Sequence, residues 1–371
     1  MGAGKELRTE EMVLNVGPQH PSTHGVFRLV AKIDGETITE ATPVIGYLHR
    51  GTEKLGESLN YTQIIPYTDR MDYLAGMTNN YMMVHTVETM MGIEVPERAE
   101  YIRVIAMELQ RFASHQVWFG TYLLDIGALS PFLFAFKDRE KILGLLNELS
   151  GARLTFNYMR IGGVKWDVPE GWLDRVKAVV DEMRVSIEGY HQLVSGNQIF
   201  LNRVKGIGVV TQEDAINYSL SGVPLRSTGI KWDLRKDMPY SIYDRFTFEV
   251  PTQTSGDCYA RYVIRMEEMT QSLNIIEQAL KQFPQGGEIM GKVPRMIRPP
   301  QGEAYTRIEA PRGEIGAYVM SKGKDKPYRI KFRRPSFANL QILPKMLKGA
   351  SMADMVAILG SIDIVLGEVD G

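Results

Sequence analysis

The stretch Asp69–Met91, DRMDYLAGMTNNYMMVHTVETMM, decides the fold class. Leu74, Met77, Tyr81, Val84 and His85 fall on one face at helical spacing, which predicts a helix from Asp69 to about Met91. Asp69 and Asp72 stand at its expected start, where the helix dipole favours acidic side chains and gives them a capping role. Tyr73 either packs as a core or interface tyrosine or offers its phenol to a ligand oxygen. Met77, Met82, Met83, Met90 and Met91 fit ordinary core packing, or an adaptable apolar surface facing a ligand.

Working outward, the helical pattern recurs. Further helices are expected at Arg98 to about Phe119, from Ser130-Pro131 to Ser150-Gly151, at Leu173–Leu193 and at Tyr259–Gln282. Short helices are expected near Leu340–Leu347 and Met352–Leu359. Strand patterns flank this set. VFRLVAKI at 26–33 is followed by the turn signal Asp34-Gly35 and a second strand near Thr37–Thr39. Two more strands are expected at Ile315–Met320 and Tyr328–Phe332. The fold class is α+β, mainly α: a central bundle of long helices with small β-containing parts at both ends. Three regions follow. They are a β-containing N-terminal module (1–66), a helical core (67–284) with a loop and β insertion at about 202–255, and a C-terminal α+β segment (285–371). The Pro- and Gly-rich stretch 285–312 reads as loop.

With 371 residues, 44% of them apolar and 23% charged, the chain has the make-up of an ordinary globular protein. The net charge of −1 gives no reason to expect a nucleic-acid partner. The charged start MGAGKELRTEEM has no apolar run, so it does not read as a secretory signal. No apolar stretch approaches the roughly 18–20 residues that span a bilayer. The one cysteine, Cys258, excludes an internal disulfide and any thiolate cluster held by this chain alone, and fits a reducing compartment.

Three further segments carry candidate chemistry. GPQHPSTHG at 17–25 sets His20 and His24 four apart between Gly and Pro residues. Two histidines do not complete a metal site, so they either pin the loop or serve a polar ligand. GTYLLDIG at 120–127 places Asp125 in an apolar run. There it either ends a helix or pairs with a cation or donor such as a histidine. LHRGTEK at 48–54 sets Arg50 beside a glycine, as a solvated charge or as a fork for a charged partner.

Together with RIGGVKWDVPEGW, SLSGVPLRSTG, KWDLRK, PSFANLQILPKMLKG and SIDIVLGEVDG, these motifs resemble the D subunit of bacterial respiratory complex I, from about Leu7 to Gly371. That family is related to nickel–iron hydrogenase large subunits. At the matching positions near Arg70–Ala75 and Asp363–Glu368 this chain has no cysteine. Val365 and Glu368 stand where two thiolates would be, so the soft ligands of a metal site are gone.

The resemblance implies a quinone site in the vacated space. It makes His24 and Tyr73 the pair that hydrogen-bonds the quinone headgroup, Asp125 the carboxylate behind His24, and Val365 a cavity-lining residue. Arg50 and Arg70 would stand near a 4Fe-4S cluster on a neighbouring subunit, and Arg50 is methylated in some relatives. His20 becomes a structural residue of the loop. No cofactor is implied for this chain alone, and the substrate would be menaquinone or ubiquinone. The implied partners are the iron–sulfur subunits B and I and, with them, the C subunit and the membrane-embedded H subunit. The implied location is peripheral, on the cytoplasmic side of the cell membrane, within an ion-translocating NADH:quinone oxidoreductase. The alternatives are a hydrogenase-type large subunit, opposed by the single cysteine, and a scaffold without catalysis. Thr155 departs from the pattern: many relatives have a histidine there, and threonine does not titrate in this range.

Overall fold

A computed structural model describes residues 11–18 and 25–371. The chain opens with an antiparallel sheet of β1 (Glu11–Val16), β2 (Arg28–Asp34) and β3 (Thr37–Val44), in that order. Leu29, Ala31 and Ile33 alternate inward along β2, as a half-buried strand requires. Two helices follow, α1 (Thr52–Gly56) and α2 (Tyr61–Asp69). Asn60 and Gln63 form a reciprocal capping box at the start of α2.

The predicted helix over 69–91 divides in two. α2 ends at Asp69, residues 70–75 form a non-helical turn, and α3 runs Gly76–Met91. Asp69 and Asp72 therefore cap no helix start. Asp69 closes a helix instead, where the dipole disfavours a carboxylate, and both are buried.

The bundle is built on α4 (Glu97–Asp125), which is buried on almost every side, and on α11 (Cys258–Lys281), which packs along it. The intervening chain gives α5 (Leu129–Ser150), a small hairpin of β4 (Met159–Arg160) and β5 (Gly163–Val164), then α6 (Trp172–Tyr190), which runs into a π-turn at His191–Ser195. α7 (Gln198–Val204), α8 (Gln212–Asn217), α9 (Val223–Arg226) and α10 (Leu234–Asp237) follow. Among the described residues, 202–255 holds short helices and no strand, so the strand candidates there are not realised.

The second main sheet corrects another expectation. Residues read as loop include β6 (Gly302–Ala310), which pairs with the central strand β7 (Gly313–Ser321). β7 also pairs with β8 (Arg329–Arg333). Tyr305, Thr306, Arg307 and Ile308 suit a strand, and the flanking Pro and Gly residues mask that pattern. The chain ends in α12 (Pro335–Leu340), α13 (Leu343–Leu347), α14 (Met355–Ile362) and α15 (Leu366–Asp370). The Trp118 indole of α4 donates to the Gly360 carbonyl of α14 at 2.8 Å, which fixes the C-terminal helices against the bundle.

Candidate functional site

Three segments distant in sequence converge at the C-terminus. The turn 70–75 lies against α15: a Cβ placed on Gly367 would stand 2.9 Å from the Met71 carbonyl and 3.7 Å from the Tyr73 ring. Only glycine allows that approach. Gly25, the first described residue after the histidine loop, packs on Leu366 in the same way, at 3.2 Å from its Cβ position. The loop 45–51 is tied down by Asp370. Its carboxylate accepts the Gly46 and Leu48 backbone N–H groups at 2.7 and 2.6 Å, and its carbonyl meets His49 Nδ1 at 2.8 Å.

That anchoring delivers Arg50, whose guanidinium donates to the Arg70 carbonyl. Arg70 in turn donates to the Pro66 carbonyl at 2.7 Å, so both arginines share one corner. Tyr73 is half-buried in the turn. Burial, then the adjacent Asp72 charge, pushes its phenol above the ordinary value, so the hydroxyl stays protonated and able to donate. Val365 is 2% exposed and its N–H donates to Ser336 Oγ at 3.3 Å.

Asp125 is the last residue of α4 and is half-buried. It lies seven residues beyond Trp118, about 10 Å along the helix from the contact with Gly360. Its position at a helix end is one of the two roles open to it in the sequence, and it does not exclude the other, pairing with a cation or donor. His20 and His24 fall in 19–24, outside the described residues.

The turn and the C-terminal segment carry acids whose environment the sequence did not display. Asp72 Oδ1 accepts the Leu74 N–H at 3.0 Å and closes the turn that presents Tyr73. Glu368 is buried and accepts the Ser336 N–H at 2.9 Å through one oxygen, while the other has no hydrogen-bond partner among the described residues. Burial first, then the nearby Asp72 charge, pushes its carboxyl up to about 7. Asp69 is likewise pushed up to about 7, chiefly by burial. It accepts the Asn157 N–H at 3.0 Å, which places the Thr155 loop beside the Arg70 corner. Arg312 bridges two of these segments, and nothing in PRGE at 311–314 sets it apart from an exposed hairpin turn. A charged residue inside an apolar C-terminal run, as in SIDIVLGEVDG, is the one signal the sequence offered.

Residues 125–371 match the family described as the respiratory-chain NADH dehydrogenase 49 Kd subunit. Over 365 residues the chain is 74% identical to the D subunit of NADH-quinone oxidoreductase from Geobacillus kaustophilus, across 98% of this chain and 100% of the relative. The chain belongs to the family of complex I D subunits. The protein of the same name from Geobacillus thermodenitrificans is 73% identical over the same span, and the one from Bacillus cereus is 70% identical. The family match begins at Asp125, and the full-length relatives carry the likeness over Arg50, Arg70 and Tyr73 as well. Among the described residues of this complex I protein, no helix is long and apolar enough to cross a membrane.

Proposed function

We propose that this protein forms the quinone-reduction site of complex I together with an iron–sulfur subunit, at the base of the peripheral arm on the cytoplasmic side of the membrane. The observation that carries the reading is the convergence on α15. The Tyr73 turn, the Arg50–Arg70 corner and the end of the histidine loop all meet there. The relatives' name, NADH-quinone oxidoreductase, supports a quinone as substrate and NADH as donor.

Reduction of a quinone to a quinol takes two electrons and two protons. Tyr73 Oη donates a hydrogen bond to one carbonyl oxygen. His24 serves the other, held in orientation by Asp125 at the end of α4. Both act where negative charge develops on the oxygens. The lone cysteine is buried and donates towards the Ala357 carbonyl, so this chain does not fit a cluster of its own. A 4Fe-4S cluster held by the neighbouring iron–sulfur subunit would supply electrons one at a time. Arg50 and Arg70 hold positive charge on the side where that subunit docks. Subunits B, I, C and H complete the surroundings, and the reaction is coupled to proton translocation through the membrane part.

Tyr73→Phe and His24→Ala test this. Each leaves the complex assembled and still able to pass electrons from NADH to ferricyanide. Each lowers quinone reduction by roughly 100-fold, the range of a lost positioned proton donor. Wild-type quinone reduction in both variants rejects the site and leaves a scaffold role.

A further inference from the structure

We propose that Arg312 is a positioning residue of this site, a clamp that sets the Tyr73 turn and the Val365 segment at their working separation. The inference rests on the quinone-site reading above.

Arg312 sits at the tip of the β6–β7 hairpin, between Ala310 and Gly313, where a side chain would ordinarily meet water. It is instead 2% exposed. Nη1 donates to Asp72 Oδ2 at 2.7 Å and to Ser114 Oγ at 3.1 Å, and Nη2 donates to Asp363 Oδ1 at 3.3 Å. The two carboxylates belong to different segments. Asp72 immediately precedes Tyr73 and closes its turn. Asp363 ends α14 in the left-handed conformation, with φ 61°, two residues before Val365.

The hairpin tip is itself held from outside the site. The Arg312 carbonyl accepts from Asn339 Nδ2 at 3.0 Å, and Asn339 is also bonded to both the N–H and the carbonyl of Ser221. The guanidinium is therefore a fixed point, and the two site segments are referenced to it. A planar fork can hold two carboxylates at once, and an ammonium cannot reproduce that geometry. Were Arg312 only balancing buried charge, any cation at this position would serve equally. Arg265, at 3.9 Å from Asp363, already supplies a second one.

The test uses the assembled complex in its membrane. Quinone reduction is measured with 2,3-dimethyl-1,4-naphthoquinone as acceptor, beside NADH-to-ferricyanide activity and the amount of assembled complex. Arg312→Lys keeps the charge and loses one arm of the fork. Asp363→Asn keeps an acceptor and suits the left-handed position, which asparagine tolerates well. We expect either variant to lower kcat/KM for the naphthoquinone by roughly tenfold to a hundredfold, the scale of a small misplacement at a reacting centre. KM should rise, and the ferricyanide rate and complex content should be unchanged. If one variant fails to assemble, the other carries the test. A wild-type kcat/KM in an assembled variant overturns the clamp, as does an equal fall in both activities, which marks a merely structural role. Tyr73→Phe run alongside separates the two claims. Unimpaired Tyr73→Phe refutes the site itself, whereas impaired Tyr73→Phe with unimpaired clamp variants refutes only the clamp.

Discussion

Glu368 and Asp69 hold protons that ordinary carboxylic acids give up well below neutrality. Glu368 rises from 4.5 to about 7 because burial, then Asp72, penalises its charge. The folded state thus binds more protons than the unfolded one between those values. Its contribution to stability is fully present below the unfolded value and is lost as pH rises through about 7. Glu368→Gln should flatten the fall in thermal midpoint of the complex between about pH 5 and about pH 8. An unchanged pH profile would show that Glu368 is ionised at neutrality. The Thr155 corner makes a related prediction. Threonine does not titrate, so the potential of the cluster proposed on the neighbouring subunit should vary less with pH than where a histidine stands. Asp69, bonded to Asn157 and raised to about 7, is a group placed to carry part of any remaining slope. A potentiometric titration of Asp69→Asn should be less steep than that of the unaltered complex, and an unchanged slope would refute this. At this scale the sequence disclosed Tyr73 and Asp125 as residue types with a choice of roles. It concealed the surroundings of Asp72, Arg312 and Glu368, because their chemistry comes from burial and from partners far away in the chain.

The hairpin β6–β7 is the element on which the site's geometry depends. It seats on Gly222, whose φ of 66° and ψ of −143° suit almost only glycine. A Cβ there would stand 2.5 Å from the Gly313 Cα. Gly222→Ala should destabilise the protein by at least the roughly 1–3 kcal/mol of such a backbone conformation, and should displace Arg312 with it. Thermal unfolding of the complex and quinone KM report both effects, and an unshifted midpoint would contradict the seating. Periodicity located the long elements well: Arg98–Phe119 lies inside α4, and Tyr259–Gln282 overlaps nearly all of α11. It failed where tertiary contacts override local pattern. The break at 70–75 is held by Asp72 and Arg312, and β6 is held by its ladder with β7, neither of which leaves a local signal.

Across the whole molecule, buried charges run through the bundle in place of a purely apolar seam. Glu108 accepts from Arg111, Arg235, Tyr243 and Ser272. Glu268 accepts from Arg226 at 2.5 Å and meets His115 at 2.9 Å, while Arg226 also reaches Glu309 at 2.7 Å. Burial lowers the His115 value against the pull of Glu268. Removing one member leaves its partners charged and dry, at a cost of about 3–5 kcal/mol. Glu108→Ala should therefore abolish assembly, seen as loss of the complex on native gels, and normal assembly would contradict the pairing. The bundle brings Ser114, in the body of α4, and Asp363, at the end of α14, to one corner through Arg312, and that corner is where the central claim is tested. The most direct measurement is photolabelling of the intact complex with an azido-quinone, followed by peptide mapping. The label should fall on the peptides containing Tyr73 and Val365–Gly371 and be displaced by excess unlabelled quinone. Displaceable label found only on other proteins of the complex, or on this one away from that corner, would contradict the account.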